Sequence, residues 1–134
     1  MNAAFDLTGQ RIAITGAAGG IGSATAKLVA EMGADVLVAD LEVPNVLADY
    51  IASKGRESSA TSLDVTDRAA VEAWAADCGA VTGLIDCAAI CPFDDWHDDG
   101  WDDVATRVFN INLQGPLNLC LLYTSPSPRD QLQS

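Results

Sequence analysis

The chain has 134 residues, 49% of them hydrophobic, which is enough for one domain with a buried core. Its 19 acidic and 7 basic side chains give a net charge of −12, which argues against nucleic acid or an anionic membrane as a partner. No apolar run approaches the roughly 20 residues of a membrane span, and residues 1–9 do not resemble a signal peptide. We therefore expect a cytoplasmic protein.

Short apolar segments alternate with helical patterns along the chain. We predict strands at residues 11–15, 35–39, 59–63 and 83–88, and helices at 21–32, 44–54, 66–77 and from 101 onward. Such alternation is typical of an α/β protein with a parallel sheet covered on both faces. Right-handed crossovers predict the strand order 3-2-1-4, a doubly wound (Rossmann) sheet truncated after about four strands. Strand four would then be an exposed edge.

A glycine-rich turn follows the first strand and opens the first helix. Its sequence is Thr15-Gly16-Ala17-Ala18-Gly19-Gly20-Ile21-Gly22. In a strand–turn–helix unit, such glycines make the tight turn, admit a pyrophosphate to the backbone and let helix and strand pack closely. The helix N-terminus adds free N–H groups and partial positive charge. The turn therefore predicts a dinucleotide site that includes Thr15, Gly16, Gly20, Ile21 and Gly22.

An acidic residue ends the second strand and predicts which dinucleotide binds. Asp40 lies roughly 20 residues beyond the turn, where a carboxylate accepts hydrogen bonds from the adenosine ribose hydroxyls. A 2′-phosphate at that position would meet like charge, and neither Gly19 nor Leu41 supplies a compensating arginine. We therefore predict NAD rather than NADP as the cofactor, with Asp40 and Leu41 at its ribose.

The cysteines and the single histidine do not predict a metal site. All four cysteines are expected to be reduced thiols in a protein that is not secreted. The one imidazole lies among flexible carboxylates, which is more typical of a solvated acidic loop than of a metal cage. The residues concerned are Cys78, Cys87, Cys91, Cys120, His97, Asp94, Asp95, Asp98 and Asp99.

The last fifteen residues break the pattern that precedes them. Residues 120–130 resemble, residue for residue, a translated transposase-type sequencing adapter, and residues 131–134 fit its index and the bases that follow. We therefore predict that residues 1–119 form an NAD-binding half-domain and that residues 120–134 are an adapter-derived tail.

From about Leu7 to Leu119 the motifs resemble those of the classical short-chain dehydrogenase/reductase family. The turn matches the family's T-G-x-x-x-G-x-G, and Asp64-Val65 matches the pair that holds the adenine. Residues 85–90 resemble the N-N-A-G segment after strand four, with Asp86 and Cys87 in place of the two asparagines and Ala89 in place of glycine. The resemblance thus implies cofactor contacts at Asp64, Val65, Cys87, Ala88 and Ala89.

Residues 111–115, Ile-Asn-Leu-Gln-Gly, resemble the family's helix that carries the tetrad asparagine. The resemblance implies that Asn112 holds a water of the proton relay. It also implies hydride transfer between the nicotinamide and a small-molecule alcohol or carbonyl substrate, in a parent enzyme that is a homo-oligomer. The family's catalytic Ser and Tyr-x-x-x-Lys have no counterpart after Asn112, so this chain is expected to be inactive alone.

Tyr50 and Lys54 fit Tyr-x-x-x-Lys, but they follow strand two, on the adenine side of the fold. Catalytic geometry outranks a motif match, so we predict an ordinary surface helix there. Two other functions stay open. Gly16, Gly19 and Gly22 also fit the turn of extended-type sugar-nucleotide epimerases and dehydratases, and a non-catalytic dinucleotide-binding regulatory module would need no catalytic residues.

Overall fold

A computed structural model, which describes residues 5–92, 97 and 99–123, contains one sheet of four parallel strands. The strands are β1 (Arg11–Thr15), β2 (Asp35–Asp40), β3 (Ser58–Ser62) and β4 (Gly83–Asp86). Their order is β3-β2-β1-β4. The predicted fold class and strand order are therefore confirmed.

Five α-helices connect or follow the strands within the described ranges. They are α1 (Gly20–Glu31), α2 (Asn45–Ser53), α3 (Arg68–Cys78), α4 (Trp101–Phe109) and α5 (Gly115–Leu119). A π-helical turn, Asn110–Gln114, joins α4 to α5, and a 3-10 turn, Cys120–Tyr123, follows α5. The π turn was not predicted, because a single widened turn leaves the apolar pattern of a helix almost unchanged.

The core lies on both faces of the sheet because side chains alternate along each strand. On one face, Ile12, Ile14, Val36 and Val38 pack with buried residues of α1 and α2. On the other face, Ala13, Leu37 and Ala39 pack with α3 and with Leu119 of α5. The central strands β1 and β2 are therefore buried on both sides, as in a doubly wound sheet.

Local signals end α1 and begin α3. Gly33 follows α1 with φ +103°, and a Cβ there would lie 2.7 Å from Oγ1 of Thr8, so no other residue fits without a shift. At α3, the Asp67 side chain accepts a hydrogen bond of 3.1 Å from the Ala70 N–H. Asp67 is thus the N-cap of α3.

The outer parts of the fold are much less covered. Among the described residues, β4 pairs only with β1, and its residues are half-buried or exposed. No residue of α4 is buried. Phe109, Leu113 and Leu117 are 65%, 55% and 56% exposed. An apolar surface therefore runs along α4, the π turn and α5.

Candidate dinucleotide-binding site

A cavity of about 350 Å³ opens at the carboxyl ends of the four strands. This is the edge where open parallel sheets bind their ligands. Segments after β1, β2, β3 and β4 form most of its wall, and α4 with the π turn forms the rest. The lining residues are Thr15, Gly16, Gly19, Ala39, Asp40, Leu41, Leu63, Asp64, Val65, Thr66, Cys87, Ala88, Ala89, Ile90, Arg107, Asn110 and Ile111.

The glycines of the turn have different tasks. Gly16 has φ +62°, and a Cβ there would lie 2.5 Å from the Ala88 nitrogen. A Cβ on Gly22 would overlap the Gly16 carbonyl, so these two glycines let α1 and the β4 loop approach the turn. A Cβ on Gly20 would meet nothing within 4 Å. Gly20 is therefore not required by packing and leaves its surface open to a ligand.

The partial positive charge at the N-terminus of α1 is not neutralised by a side chain of its first turn. The first turn carries no acidic residue, and the N-cap Gly19 has no side chain to cap it. The N–H groups there remain available to an anion. Ile21, which we predicted at this position, is 78% exposed, whereas Gly22 is buried against Gly16. Gly20, Ile21 and Gly22 lie at the helix start and do not line the cavity itself.

Asp40 is fixed by the backbone around it. One carboxylate oxygen, Oδ2, accepts a hydrogen bond of 2.9 Å from the Ala18 N–H, and Oδ1 accepts one of 2.7 Å from the Leu41 N–H. The side chain thereby ties the glycine turn to the end of β2. Each oxygen retains acceptor capacity toward the cavity, so the carboxylate can still accept from ribose hydroxyls.

Thr15 and the β4 loop are joined by a residue that we did not predict as part of the site. The Asp86 Oδ1 accepts hydrogen bonds from the Thr15 hydroxyl, at 2.6 Å, and from the Ala88 N–H, at 3.0 Å. Thr15 is 1% exposed, so its hydroxyl is committed to this contact. The pairing of Thr15 with Asp86 across β1 and β4 is the signal that would have found it.

The Asp64–Val65 segment is held by α5. Asp64 Oδ1 accepts from the Thr66 N–H and hydroxyl at 2.9 and 2.7 Å, which forms a tight turn. The buried Asn118 amide donates to the Val65 carbonyl at 2.9 Å. A Cβ on Gly115 would lie 2.8 Å from Cγ2 of Val65. Sequence reasoning missed Gly115 and Asn118, because their partners lie more than 40 residues away.

Asn112 lies in the π turn and pairs with the loop after β4. Its Oδ1 accepts from the Ile90 N–H at 2.9 Å, and its Nδ2 donates to the Ile90 carbonyl at 2.8 Å. Ile90 lines the cavity, whereas Asn112 does not. The side chain therefore positions the cavity wall. The water-holding role that the resemblance implies for Asn112 stays a prediction.

Cys87 presents a protonated thiol to the cavity. Burial, and secondarily the charge of Asp86, raises the pKa of the Cys87 thiol. A thiol with a raised pKa is a poor nucleophile at neutral pH. Cys87, Ala88 and Ala89 therefore form a wall of small side chains without a reactive nucleophile, which suits ligand binding more than covalent catalysis.

Tyr50 and Lys54 lie away from the cavity, as predicted. The Tyr50 hydroxyl donates to Glu31 of α1 at 2.5 Å. The ammonium groups of Lys54 and Lys27 lie 4.8 and 5.4 Å from the centre of the Tyr50 ring. This Tyr-x-x-x-Lys pair therefore links α2 to α1.

Within the ranges that the structure describes, no three His, Cys, Asp or Glu side chains are grouped as a metal would require. Asp94, Asp95 and Asp98 of the acidic loop lie outside those ranges. The helices in the same ranges include none with the length and apolar character of a membrane span.

The family model described as short chain dehydrogenase matches residues 10–126. The chain belongs to the short-chain dehydrogenase/reductase family. It is 32% identical over 128 residues to the short-chain dehydrogenase/reductase ABA4 of Pyricularia oryzae, a match that covers 83% of this chain and 45% of that protein. It is 35% identical over 111 residues to galactitol 2-dehydrogenase of Agrobacterium fabrum, covering 78% and 41%.

The fold agrees with solved structures of the family. A short-chain type dehydrogenase/reductase from Mycobacterium marinum superposes with a TM-score of 0.80 at 30% identity, covering 88% of this chain and 50% of that one. The chain thus spans about half the length of the relatives it matches. Membership implies a nicotinamide dinucleotide as cofactor, and the open Gly20 and the fixed Asp40 suit its pyrophosphate and ribose.

Proposed function

We propose that residues 1–119 are the NAD-binding half of an oxidoreductase that acts on a small-molecule alcohol or carbonyl compound. The observation that carries the proposal is the Asp40 carboxylate at the cavity, held by the Ala18 and Leu41 amides beside an open glycine turn. The relatives reported above have oxidoreductase names, which favours this function over a regulatory module or a sugar-nucleotide enzyme.

The geometry around Asp40 supports the proposed preference for NAD over NADP. A carboxylate that accepts two backbone hydrogen bonds cannot turn away when a 2′-phosphate approaches, so the like charges would repel. The backbone donors at Ala18 and Leu41 are already used by Asp40. No cation stands next to it in the turn or at position 41. The ribose hydroxyls, in contrast, can donate to both carboxylate oxygens.

In the reaction, NAD supplies a carbon that accepts or gives a hydride. Residues of this chain would bind and orient it: the start of α1 would face the pyrophosphate, Asp40 would accept from the ribose, and the Asp64–Val65 segment would border the adenine. Asn112 holds the wall of the cavity through Ile90. We infer that, among the described residues that line the cavity, no group is placed to take the alcohol proton, a task worth about 10²–10⁴-fold in rate. It should therefore bind NAD without oxidising alcohols.

We also propose that Leu119 is the last native residue in this chain and that residues 120–134 derive from an adapter. Reading the genomic DNA across codon 119 tests this boundary. The proposal expects a different sequence from codon 120 onward, with a Tyr-x-x-x-Lys after the Asn112 helix. Genomic DNA that encodes the same Pro- and Ser-rich residues would contradict the adapter origin. The homo-oligomeric parent and the cytoplasmic location stay predictions.

A fluorescence titration with NADH and NADPH tests the cofactor assignment. We expect the chain to bind NADH at least about tenfold more tightly, since hydrogen bonds to a charged group contribute about 1.5–3 kcal/mol. Asp40→Ala should reduce the difference in affinity between NADH and NADPH. Asp49→Ala, which removes an exposed carboxylate from α2, should leave that difference unchanged. Equal affinities of the unaltered chain for the two cofactors would overturn the assignment.

A further inference from the structure

The last helical segment forms part of the cavity wall. Gly115 lies against Val65. Ile111 of the π turn lines the cavity, and Arg107 of α4 lines it as well. The π turn breaks the regular four-residue spacing of a helix, so it is the shared cavity lining that relates these residues. Arg107 and the Asp64–Val65 segment after β3 line the same cavity.

Arg107 is not engaged in an ion pair among the described residues. Arg11 pairs with Glu57 at 3.0 Å and Arg68 with Glu72 at 3.1 Å. Arg107 has Asp103 one helical turn before it, yet forms no such pair within the described ranges. The other charged residues that line the cavity are the carboxylates Asp40 and Asp64. The one guanidinium of the wall is therefore free to contact a ligand.

We propose that Arg107 binds the adenine base of the cofactor, in the cavity that it lines together with the Asp64–Val65 segment. This inference rests on the proposed function and adds α4 to the binding surface. A guanidinium is planar and delocalised, so it stacks on an aromatic ring and donates hydrogen bonds to ring nitrogens, which an ammonium does less well.

The position of Arg107 favours the base over the phosphates. The N–H groups open to an anion lie at Gly20 and Ile21, in the first turn of α1, since the Gly19 N–H donates to the Gly16 carbonyl. Arg107 instead lines the cavity together with Asp64 and Val65, the pair that follows β3. A dinucleotide whose ribose met Asp40 and whose pyrophosphate met α1 would leave its base for the wall that Asp64, Val65 and Arg107 share.

Binding of adenosine and of ADP-ribose tests the contact, because only the second probe carries phosphates. The 134-residue chain, fused to a soluble carrier protein, is titrated by calorimetry or NMR, with the carrier alone as a blank. Arg107→Ala should weaken both probes by the same factor of about 3- to 30-fold. Arg107→Lys should restore little of the loss. The control, Arg68→Ala on exposed α3, should change neither affinity.

Unchanged affinity of Arg107→Ala for both probes would overturn the proposal. So would a loss of affinity that is confined to ADP-ribose and that Arg107→Lys restores, because a positive charge would then suffice and the contact would be to phosphate. Circular dichroism of the Arg107 variants should match the unaltered chain, because the residue is exposed. If the unaltered chain binds ADP-ribose and NADH but Arg107→Ala changes the affinity for neither probe, only this inference fails. If it binds none of the ligands, the proposed function fails with it.

Discussion

The unit β1–turn–α1–β2, residues 11–40, and the unit β4–α4–α5, residues 83–119, border the same cavity in different ways. In the first unit both strands are buried, Gly22 packs on Gly16, and Asp40 ties the turn to β2. In the second unit α4 has no buried residue, and its links to the site are side chains that reach distant backbone. The first unit is therefore a self-contained ligand frame, whereas the second completes the site through long-range contacts.

The largest expected effect is a difference in stability between alanine variants of two glycines in the first unit. Gly16→Ala should destabilise the chain by about 2–5 kcal/mol, because a positive φ costs about 1–2 kcal/mol and overpacking against the Cys87–Ala88 backbone adds about 1–3. Gly20→Ala should not destabilise, since its Cβ meets open space and alanine favours a helix. It should instead weaken NADH binding. Thermal melts measure the stability of the two variants, and NADH titration measures their affinity. Equal melting temperatures would contradict the claim that Gly16 is needed for packing and Gly20 for ligand access.

In the second unit, we expect the buried Asn118 to contribute more than Asn112. Asn118→Ala leaves the Val65 carbonyl without its buried donor, which should cost about 1–3 kcal/mol. Asn112→Ala loses two hydrogen bonds at an exposed side chain. It should cost less in stability, yet loosen Ile90 and weaken NADH binding. Urea denaturation ranks the pair, and a larger stability loss for Asn112→Ala would reverse our ordering of the two contacts.

The contrast between the units also shows what the sequence could predict. The strands and the glycine turn were predictable, since hydrophobic periodicity and glycine spacing are local signals. The role of Asn118 was not, because it depends on the distant Val65 carbonyl that the fold brings beside it. Asp86 depends in the same way on the hydroxyl of Thr15, which lies 71 residues away in the sequence. The roles of Gly16, Gly20 and Gly22 needed the structure as well: the motif marks all three alike, and only the surrounding atoms separate packing from ligand access.

Tyr50→Phe tests a contact outside both units and should have a smaller effect. The variant loses the hydrogen bond to Glu31, which at an exposed site contributes at most about 1 kcal/mol. The ring and its lysine contacts remain. NADH affinity should not change, and turnover of a reconstructed full-length enzyme should stay within about threefold. A loss of a hundredfold without unfolding would mean that this pair is catalytic after all.

The smallest stability effect is expected on the apolar surface of the second unit. Replacing Leu113 and Leu117 by lysine should change stability by less than about 0.5 kcal/mol each, because both side chains are more than half exposed. It should nevertheless raise solubility, since the unaltered chain presents this surface and the open β4 edge to other molecules. Light scattering compares the two proteins. A monodisperse unaltered chain would show that the exposed surface does not drive association.

The central claim is that the frame around Asp40 and the glycine turn binds NAD. Amide NMR of the ¹⁵N-labelled chain during titration with NAD tests it most directly, because it reports every segment at once. We predict the largest shifts at residues 16–22, 40–41, 64–66 and 87–90, with little change around Tyr50 on α2. Absence of shifts, or shifts centred on Tyr50 and Lys54, would contradict the account.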